Sequence, residues 1–213
     1  MTMAEQPASV SLAKASLRCL IGERLRGIDA GTRRGWDEAI CAFVARSAVF
    51  ELAQTVIGYF ALPDEVNIDA LLAAAIEEGK HVFVPAVRDR EMQFTRWTPR
   101  AAVRRSDHHV LEAATQRGQA REMGPSLMLV PGRAFDAAGG RVGRGGGYYD
   151  RALAPPLHDT RVVGVGYALQ LVDTVPVATH DRRVEMIFTE NGCVMIPDDE
   201  LNPPERSQRA NKK

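Results

Sequence analysis

Apolar positions along the chain switch between two periods. From Ser11, the spacing of Leu12, Leu17, Leu20, Ile21, Leu25 and Ile28 follows a helix period, with Gly31 near its end. A second helix is predicted over about Thr32 to Arg46, and a short helical turn near Val49 to Leu52. The pattern then changes. Thr55-Val56-Ile57-Gly58-Tyr59-Phe60 reads as a strand, Ile68 to Glu78 as a helix stopped by Gly79, and His81-Val82-Phe83-Val84-Pro85 as a second strand. Strand, helix and strand in that order imply a right-handed parallel crossover. Met92 to Trp97 predicts a short antiparallel strand, while the polar, arginine-rich residues 98–124 suggest a loop with one weak helix or turn. Leu127 to Val130, bounded by Pro125 and Pro131, reads as a buried strand, and a helix is predicted from about Gly147 to Ala154. Arg161 to Gly166 gives another strand, Ala168 to Val172 a helical turn, and Val184 to Thr189 a last strand before a glycine turn and the tail. Residues 1–9 and 197–213 are expected to be flexible, leaving one domain over residues 10–196. The order of elements predicts a three-layer α/β/α, Rossmann-like domain with a mostly parallel sheet. In such sheets ligands bind beyond the carboxyl ends of strands, where both Phe60–Glu65 and Pro131–Asp150 begin.

Composition narrows the classes of function. At 213 residues the chain is the size of one domain with a substantial core. Lys+Arg and Asp+Glu both number 27, so no global field attracts nucleic acid or a membrane surface, and neither is expected as a partner. An anionic ligand would need a local cluster of cations. Cys19, Cys41 and Cys193 form an odd, widely spaced set without a CxxC, which argues against structural zinc and against a disulfide framework. With no signal peptide in evidence, this fits a reducing, cytoplasmic setting. No apolar run approaches the roughly 20 residues needed to span a bilayer.

Chemistry concentrates between Pro131 and Asp150. Six of the nine residues from Gly139 to Gly147 are glycine, and the others are Arg141, Val142 and Arg144. Glycine permits turns at positive φ and close approach of a ligand to the backbone, and arginine offers forked donors suited to phosphate oxygens. A strand, a glycine loop and a helix start together make a polyphosphate-binding arrangement. A long disordered RGG-type RNA binder is disfavoured because this stretch is short and wedged between apolar elements. No GxxxxGK[ST] is present and no GxGxxG fits, either here or at Gly164-Val165-Gly166. Elsewhere the residues leave alternatives open. Lys14 and Arg18, four apart on one helix flank, read first as a solvated basic edge. Asp150 is either a carboxylate favoured in a first helical turn or a magnesium ligand beside a bound phosphate. Glu65 is a turn residue or a ligand contact, and the adjacent pair His180-Asp181 reads as structural.

The string Pro131-Gly132-x-Ala134-Phe135-Asp136 followed by Arg141-Val142-Gly143-Arg144-Gly145-Gly146-Gly147-Tyr148-Tyr149-Asp150-Arg151 closely resembles the 5-formyltetrahydrofolate cyclo-ligase family. Lys14-x-x-Leu17-Arg18, Phe60 to Glu65, Gln170-Leu171-Val172-x-x-Val175-Pro176, His180-Asp181 and Thr189-Glu190 resemble its other motifs in the right order. Arg133 departs from the family's usual aliphatic residue, Glu185 stands where aspartate is frequent, and Gly146 stands where some members have lysine. Residues 100–124 lack a family landmark. The resemblance implies an ATP- and magnesium-dependent conversion of 5-formyltetrahydrofolate, with or without a polyglutamate tail, to 5,10-methenyltetrahydrofolate by a monomer or weak dimer. It implies that Lys14 and Arg18 contact ATP phosphates, and that Arg141, Val142, Gly143, Arg144, Gly145, Gly146, Gly147, Tyr148 and Tyr149 wrap the triphosphate. Asp150 and Asp181 would hold magnesium, and Phe60 and Glu65 would contact the folate. Residues 144–148 would touch both substrates, with Arg144 and Tyr148 catalytic. A family paralogue that binds without turnover is the alternative. A sugar-phosphate isomerase or CoA transferase on a similar scaffold would leave the Lys14/Arg18 pair unexplained.

Overall fold

The computed structural model describes residues 5–88, 91–98, 103–105, 111–113, 124–153, 159–178 and 181–197. Helices α1 (Glu5–Arg26), α2 (Ala30–Ala45) and α3 (Ala48–Glu51) precede the first strand, β1 (Thr55–Ile57). They are followed by α4 (Asp69–Glu77), β2 (His81–Arg88), β3 (Glu91–Arg96), β4 (Val103–Arg105), β5 (Leu111–Ala113) and β6 (Ser126–Pro131). The glycine-rich region forms a hairpin of β7 (Ala134–Phe135) and β8 (Arg141–Val142) and then α5 (Tyr148–Ala152). The chain closes with β9 (Thr160–Val165), a 3-10 turn at Ala168–Gln170, β10 (Met186–Thr189) and β11 (Gly192–Met195).

Seven strands form the main sheet in the order β11-β10-β9-β6-β1-β2-β3. The five inner strands are parallel, and only the edge strands β3 and β11 run antiparallel. This is the mostly parallel α/β architecture expected. β1 pairs with β2 on one side and β6 on the other, so the chain reverses its direction of winding between β1 and β6. A crevice opens at such a switch point, beyond the strand ends.

Side chains alternate across the sheet because successive residues of a strand point to opposite faces. On β6, Leu127 and Leu129 join Ile21, Leu25, Ile40, Val44, Leu71 and Leu72 from α1, α2 and α4. Met128 and Val130 face the other way and pack with Phe135, Leu153, Val184, Ile187 and Ile196. Phe135 is fully buried, with three glycines against its ring. A Cβ built on Gly132, Gly164 or Gly166 would stand 2.5, 2.7 or 2.8 Å from its ring. The pair Gly164-Val165-Gly166, which fits no nucleotide fingerprint, thus has a packing reason.

Several boundaries differ from the sequence reading. α1 begins at Glu5, inside the segment 1–9 expected to be flexible. β1 ends at Ile57 rather than Phe60, leaving residues 58–65 as the loop that leads out of the sheet. The described parts of 98–124 form the antiparallel pair β4–β5, not a helix. β11 was absent from the sequence reading, which ran directly from a glycine turn into the tail. As an edge strand it buries only part of each side chain, and its exposed Met195 breaks the apolar pattern of a central strand. Gly192, at φ 119°, makes the turn that pairs Thr189 with Gly192.

Gly164→Ala is expected to destabilise the fold by about 1–3 kcal/mol, since the new methyl overpacks a buried ring that has no room to move. Gly22→Ala provides the control, because its Cβ would meet nothing within 4 Å. Thermal unfolding that leaves Gly164→Ala at the wild-type midpoint would show that the slot is looser than described.

Candidate active site

The crevice at the switch point is a cleft of about 360 Å³ between the loop after β1, the glycine-rich segment, the start of α1 and the segment around Asp181. Every residue singled out from the sequence lines it: Lys14 and Arg18, Phe60 and Glu65, Arg141 through Asp150, and Asp181. His180, the neighbour of Asp181, lies outside the described residues.

The glycine segment is held by its own buried carboxylate. Asp136, 5% exposed, accepts hydrogen bonds from the amides of Ala138 (3.1 Å) and Gly140 (2.7 Å) on Oδ1 and from Val175 (2.7 Å) on Oδ2. Three amide donors on one carboxylate make the hairpin rigid where its glycines would otherwise make it loose. The buried amide of Gln170 donates to the Gly132 and Arg133 carbonyls at 2.7 and 3.2 Å, fixing the segment's first residues to the turn after β9. The sequence reading quoted Asp136 and Gln170 as motif letters and gave neither a role. A carboxylate directly after a buried Phe135, in an otherwise apolar and glycine stretch, was the available signal.

Beyond the hairpin, Gly145 (φ 104°) and Gly147 (φ 64°) occupy the left-handed region and turn the chain into α5. α5 has only five residues, and Gly147 at its start offers no side-chain cap. The expected contribution of a helix dipole is therefore small, because few peptide units align. The cations carry the attraction instead.

Four cations and three carboxylates line the cleft, and each cation has a partner. Lys14 forms an ion pair with Asp181, whose same oxygen also accepts from the Ala178 amide. The Arg18 Nε donates to the Gly143 carbonyl at 2.7 Å, tying α1 to the loop. Arg141, 4% exposed, donates to Asp150 at 2.9 Å and lies over the Tyr149 ring, 5.6 Å from its centroid, while its buried Nε has no partner. Arg144 bridges the two carboxylates after β1, donating to Glu65 at 2.8 Å and pairing with Asp64. Arg133 also pairs with Asp64. The Lys14/Arg18 pair is thus not a solvated edge, and Arg133, a departure in the motif, is drawn into the site's charge network.

The charges shift the ionisation of their neighbours. Burial by itself would raise the Asp64 carboxyl, but the Arg144 and then the Arg133 guanidinium outweigh it and hold Asp64 below the usual carboxylate value. Burial would lower Arg144, yet its hydrogen bond to and charge attraction for Glu65, followed by Asp64, raise it. Burial pushes the Tyr149 and Tyr59 phenols well above their normal range, so both stay protonated. On the folate-candidate side, Phe60 packs edge-on against Trp97 at 5.6 Å, and the Glu65 carboxylate also accepts from the Leu62 amide at 3.0 Å. Asp150 and Asp181 both face the cleft, and among the described residues no group of three or more His, Cys, Asp or Glu could hold a metal ion by itself.

A carboxyl whose folded value is depressed contributes stability above its unfolded pKa and loses it as the pH falls through the folded value. Asp64 is such a group. Asp64→Asn is expected to cost little at neutral pH, because the pair is part-exposed, and to flatten the acid side of a midpoint-against-pH profile. An acid limb identical to the wild type would mean that the Arg144–Asp64–Arg133 network is not formed in solution.

The family model described as "5-formyltetrahydrofolate cyclo-ligase family" matches residues 10–190. The 5-formyltetrahydrofolate cyclo-ligases of Mus musculus and Mycolicibacterium smegmatis are 25% and 27% identical, over 86% of this chain and 96% and 97% of theirs. The solved structure of 5,10-methenyltetrahydrofolate synthetase from Aquifex aeolicus superposes with a TM-score of 0.75 at 25% identity, covering 94% of this chain and 96% of the other. Among the described residues no helix is long and apolar enough to cross a membrane. With the match spanning the β1 loop, the glycine hairpin and the segment around Asp181, the chain belongs to the 5-formyltetrahydrofolate cyclo-ligase family, a family of ligases.

Proposed function

We propose that this chain converts 5-formyltetrahydrofolate and ATP to 5,10-methenyltetrahydrofolate, ADP and phosphate. The observation that carries the reading is the convergence, in one cleft at the sheet's switch point, of Lys14, Arg18, Arg141 and Arg144 with Phe60 and Glu65. The first set suits a triphosphate; the second suits a flat, hydrogen-bonding heterocycle. In the proposed reaction the formyl oxygen attacks the γ-phosphorus and ADP leaves, giving an iminium phosphate. N10 then attacks the formyl carbon and loses its proton, the C–O bond breaks, and phosphate departs with that proton. An amide-like oxygen is a poor leaving group, and phosphorylation makes it a good one. With little covalent work for the protein, catalysis rests on positioning and charge stabilisation.

Arg144 stands between the two substrate regions, and it would exchange Asp64 and Glu65 for phosphate oxygens as ATP binds. Glu65 is then released to accept hydrogen bonds from the pterin. Tyr148, whose ring underlies Gly146, would place the formyl group. A Cβ on Gly143, Gly146 or Gly147 would stand within 3 Å of the Arg141, Tyr148 or Arg151 side chain, so glycine here lets these side chains lie against the loop backbone. Asp150 and Asp181 suit magnesium, which is commonly held by one or two carboxylates together with substrate phosphates. When bound it would neutralise charge on the triphosphate, and Lys14 and Arg141 would give up their carboxylates to it. Free cysteines at positions 19, 41 and 193 support a reducing, cytoplasmic setting, and burial raises the Cys41 thiol to about 11, keeping it unreactive.

Mixing the protein with 5-formyltetrahydrofolate, ATP and magnesium should produce the near-ultraviolet chromophore of the methenyl product. A folded protein that binds ATP or folate but gives no ATP-dependent signal would instead be a binding paralogue. Arg144→Ala should weaken ATP binding by tenfold or more, since a charge-assisted contact is worth about 1.5–3 kcal/mol. Its melting temperature should stay near wild type, because a half-exposed ion pair contributes little stability. Loss of stability with unchanged ATP affinity would contradict the role given to Arg144.

A further inference from the structure

Glu65 sits on a turn, Pro63 to Asn67, which leaves the end of β1 with no regular structure to hold it. Tyr59, which lines the cleft, donates from its hydroxyl to the Val66 carbonyl at 3.0 Å, and the rest of the grip comes from behind, from side chains that do not line the cleft. On α2, Arg33 donates from Nη1 to the Pro63 carbonyl at 2.9 Å and from Nη2 to the Leu25 carbonyl at 2.6 Å. One helical turn later, Asp37 accepts from the Asn67 amide and from the Tyr167 hydroxyl at 2.7 Å. Tyr167 is fully buried, its hydroxyl is 3.5 Å from the Glu65 carbonyl oxygen, and Arg33 lies over its ring at 5.6 Å. Both ends of the turn, and the residue between them, are therefore referenced to one small polar cluster.

We propose that Tyr167 and Asp37 are positioning residues that fix the Glu65 turn for recognition of the folate, a role that rests on the folate reading of this site. A buried tyrosine could satisfy its hydroxyl with any nearby carbonyl. Here it is spent on a carboxylate that is half-withdrawn from water, and burial, partly opposed by the Tyr167 and Asn67 hydrogen bonds and by Arg33, raises that carboxyl. An arrangement that costs desolvation is of use if it sets a geometry that apolar packing would leave loose. What it sets is the height of the Glu65 backbone above the sheet, and with it where the carboxylate meets a heterocycle. The cluster meets the support of the glycine hairpin through the Tyr167 main-chain amide, which donates to Gln170 Oε1 at 2.7 Å. The grip on the hairpin itself runs through the Gln170 side-chain amide. Loss of the Tyr167 hydroxyl or of the Asp37 carboxylate removes neither of these bonds, so its effect should be read mainly in the folate.

The test is a comparison of Tyr167→Phe, Asp37→Ala and Asp37→Asn with wild type, in steady-state kinetics and in direct titration of 5-formyltetrahydrofolate without ATP. Tyr167→Phe and Asp37→Ala are expected to raise the folate KM and dissociation constant by roughly tenfold, the loss typical of one buried hydrogen bond, while the ATP KM stays within about twofold. Asp37→Asn keeps one acceptor oxygen and should fall between. A folate constant that does not move, folate and ATP constants that rise together, or variants that do not fold would each overturn the positioning role in favour of a merely structural one. A wild-type protein that binds folate without forming product leaves this proposal standing and removes the turnover assigned above, whereas a wild type that binds no folate overturns both.

Discussion

Bringing Lys14, Arg18, Arg141 and Arg144 to one cleft creates a problem that the rest of the site is arranged to solve. Like charges in a half-buried space repel, and a charge withdrawn from water without a partner costs several kcal/mol. The chain meets this with internal substitutes for a polyanion. Asp181 answers Lys14, Asp150 answers Arg141, Asp64 and Glu65 answer Arg144, and a backbone carbonyl answers Arg18. The molecule as a whole carries no net charge, so the attraction for an anion is local and short-ranged. Neutralisation also preserves geometry, since each cation is already extended into the cleft and held by a bond that a phosphate oxygen can replace.

Such exchange requires a scaffold that does not move when its ion pairs are rearranged. The glycine segment would be the weak point, given its backbone freedom, and it is here that packing is least forgiving. Phe135 is locked between three glycines and Asp136 is saturated by three amides, one residue apart, so the hairpin is anchored on both faces of its own chain. The freedom of glycine is used at Gly139, in the turn between β7 and β8, and at Gly145 and Gly147, where the chain passes from β8 to α5. The opposing wall, carrying Glu65, is a loop rather than a strand, and its rigidity is borrowed from α2 and Tyr167. Both walls are therefore loops made stiff by buried polar groups, on a sheet that contributes the position but not the chemistry.

Much of this was legible in the sequence, and the pattern of what was not has physical reasons. The apolar runs of β1, β2, β6 and β9 announced a parallel sheet because strands buried on both faces lack polar alternation. Arg141 and Arg144 were found because arginine and glycine at that density suit a polyanion, whereas Lys14, Arg18, Phe60, Glu65 and Asp181 entered only through the family resemblance. β11 was missed because an edge strand is half solvated, and β7–β8 because two-residue strands leave no period to detect. The start of α1 was placed six residues late because its first turns carry no apolar stripe. Asp37, Tyr167 and Gln170 were invisible as a group for another reason. Their meaning lies in partners 130 or more positions away for Tyr167 and Asp37, and 38 away for Gln170 and Gly132. No local spacing encodes such contacts.

Lys14 and Arg18 show how the two kinds of information meet. Four apart on a helix, beside an apolar stripe, they satisfy every criterion for a solvated flank, and their spacing alone gives no reason to prefer function. What removes them from solvent is the approach of two distant segments. Asp181 covers Lys14, and the Gly143 carbonyl takes the Arg18 Nε. That carbonyl is free to do so because the hairpin ends at Val142, leaving Gly143 outside the β7–β8 ladder. β8, too short to show a period in the sequence, thus ends at the residue before the carbonyl through which the first helix of the chain joins the site.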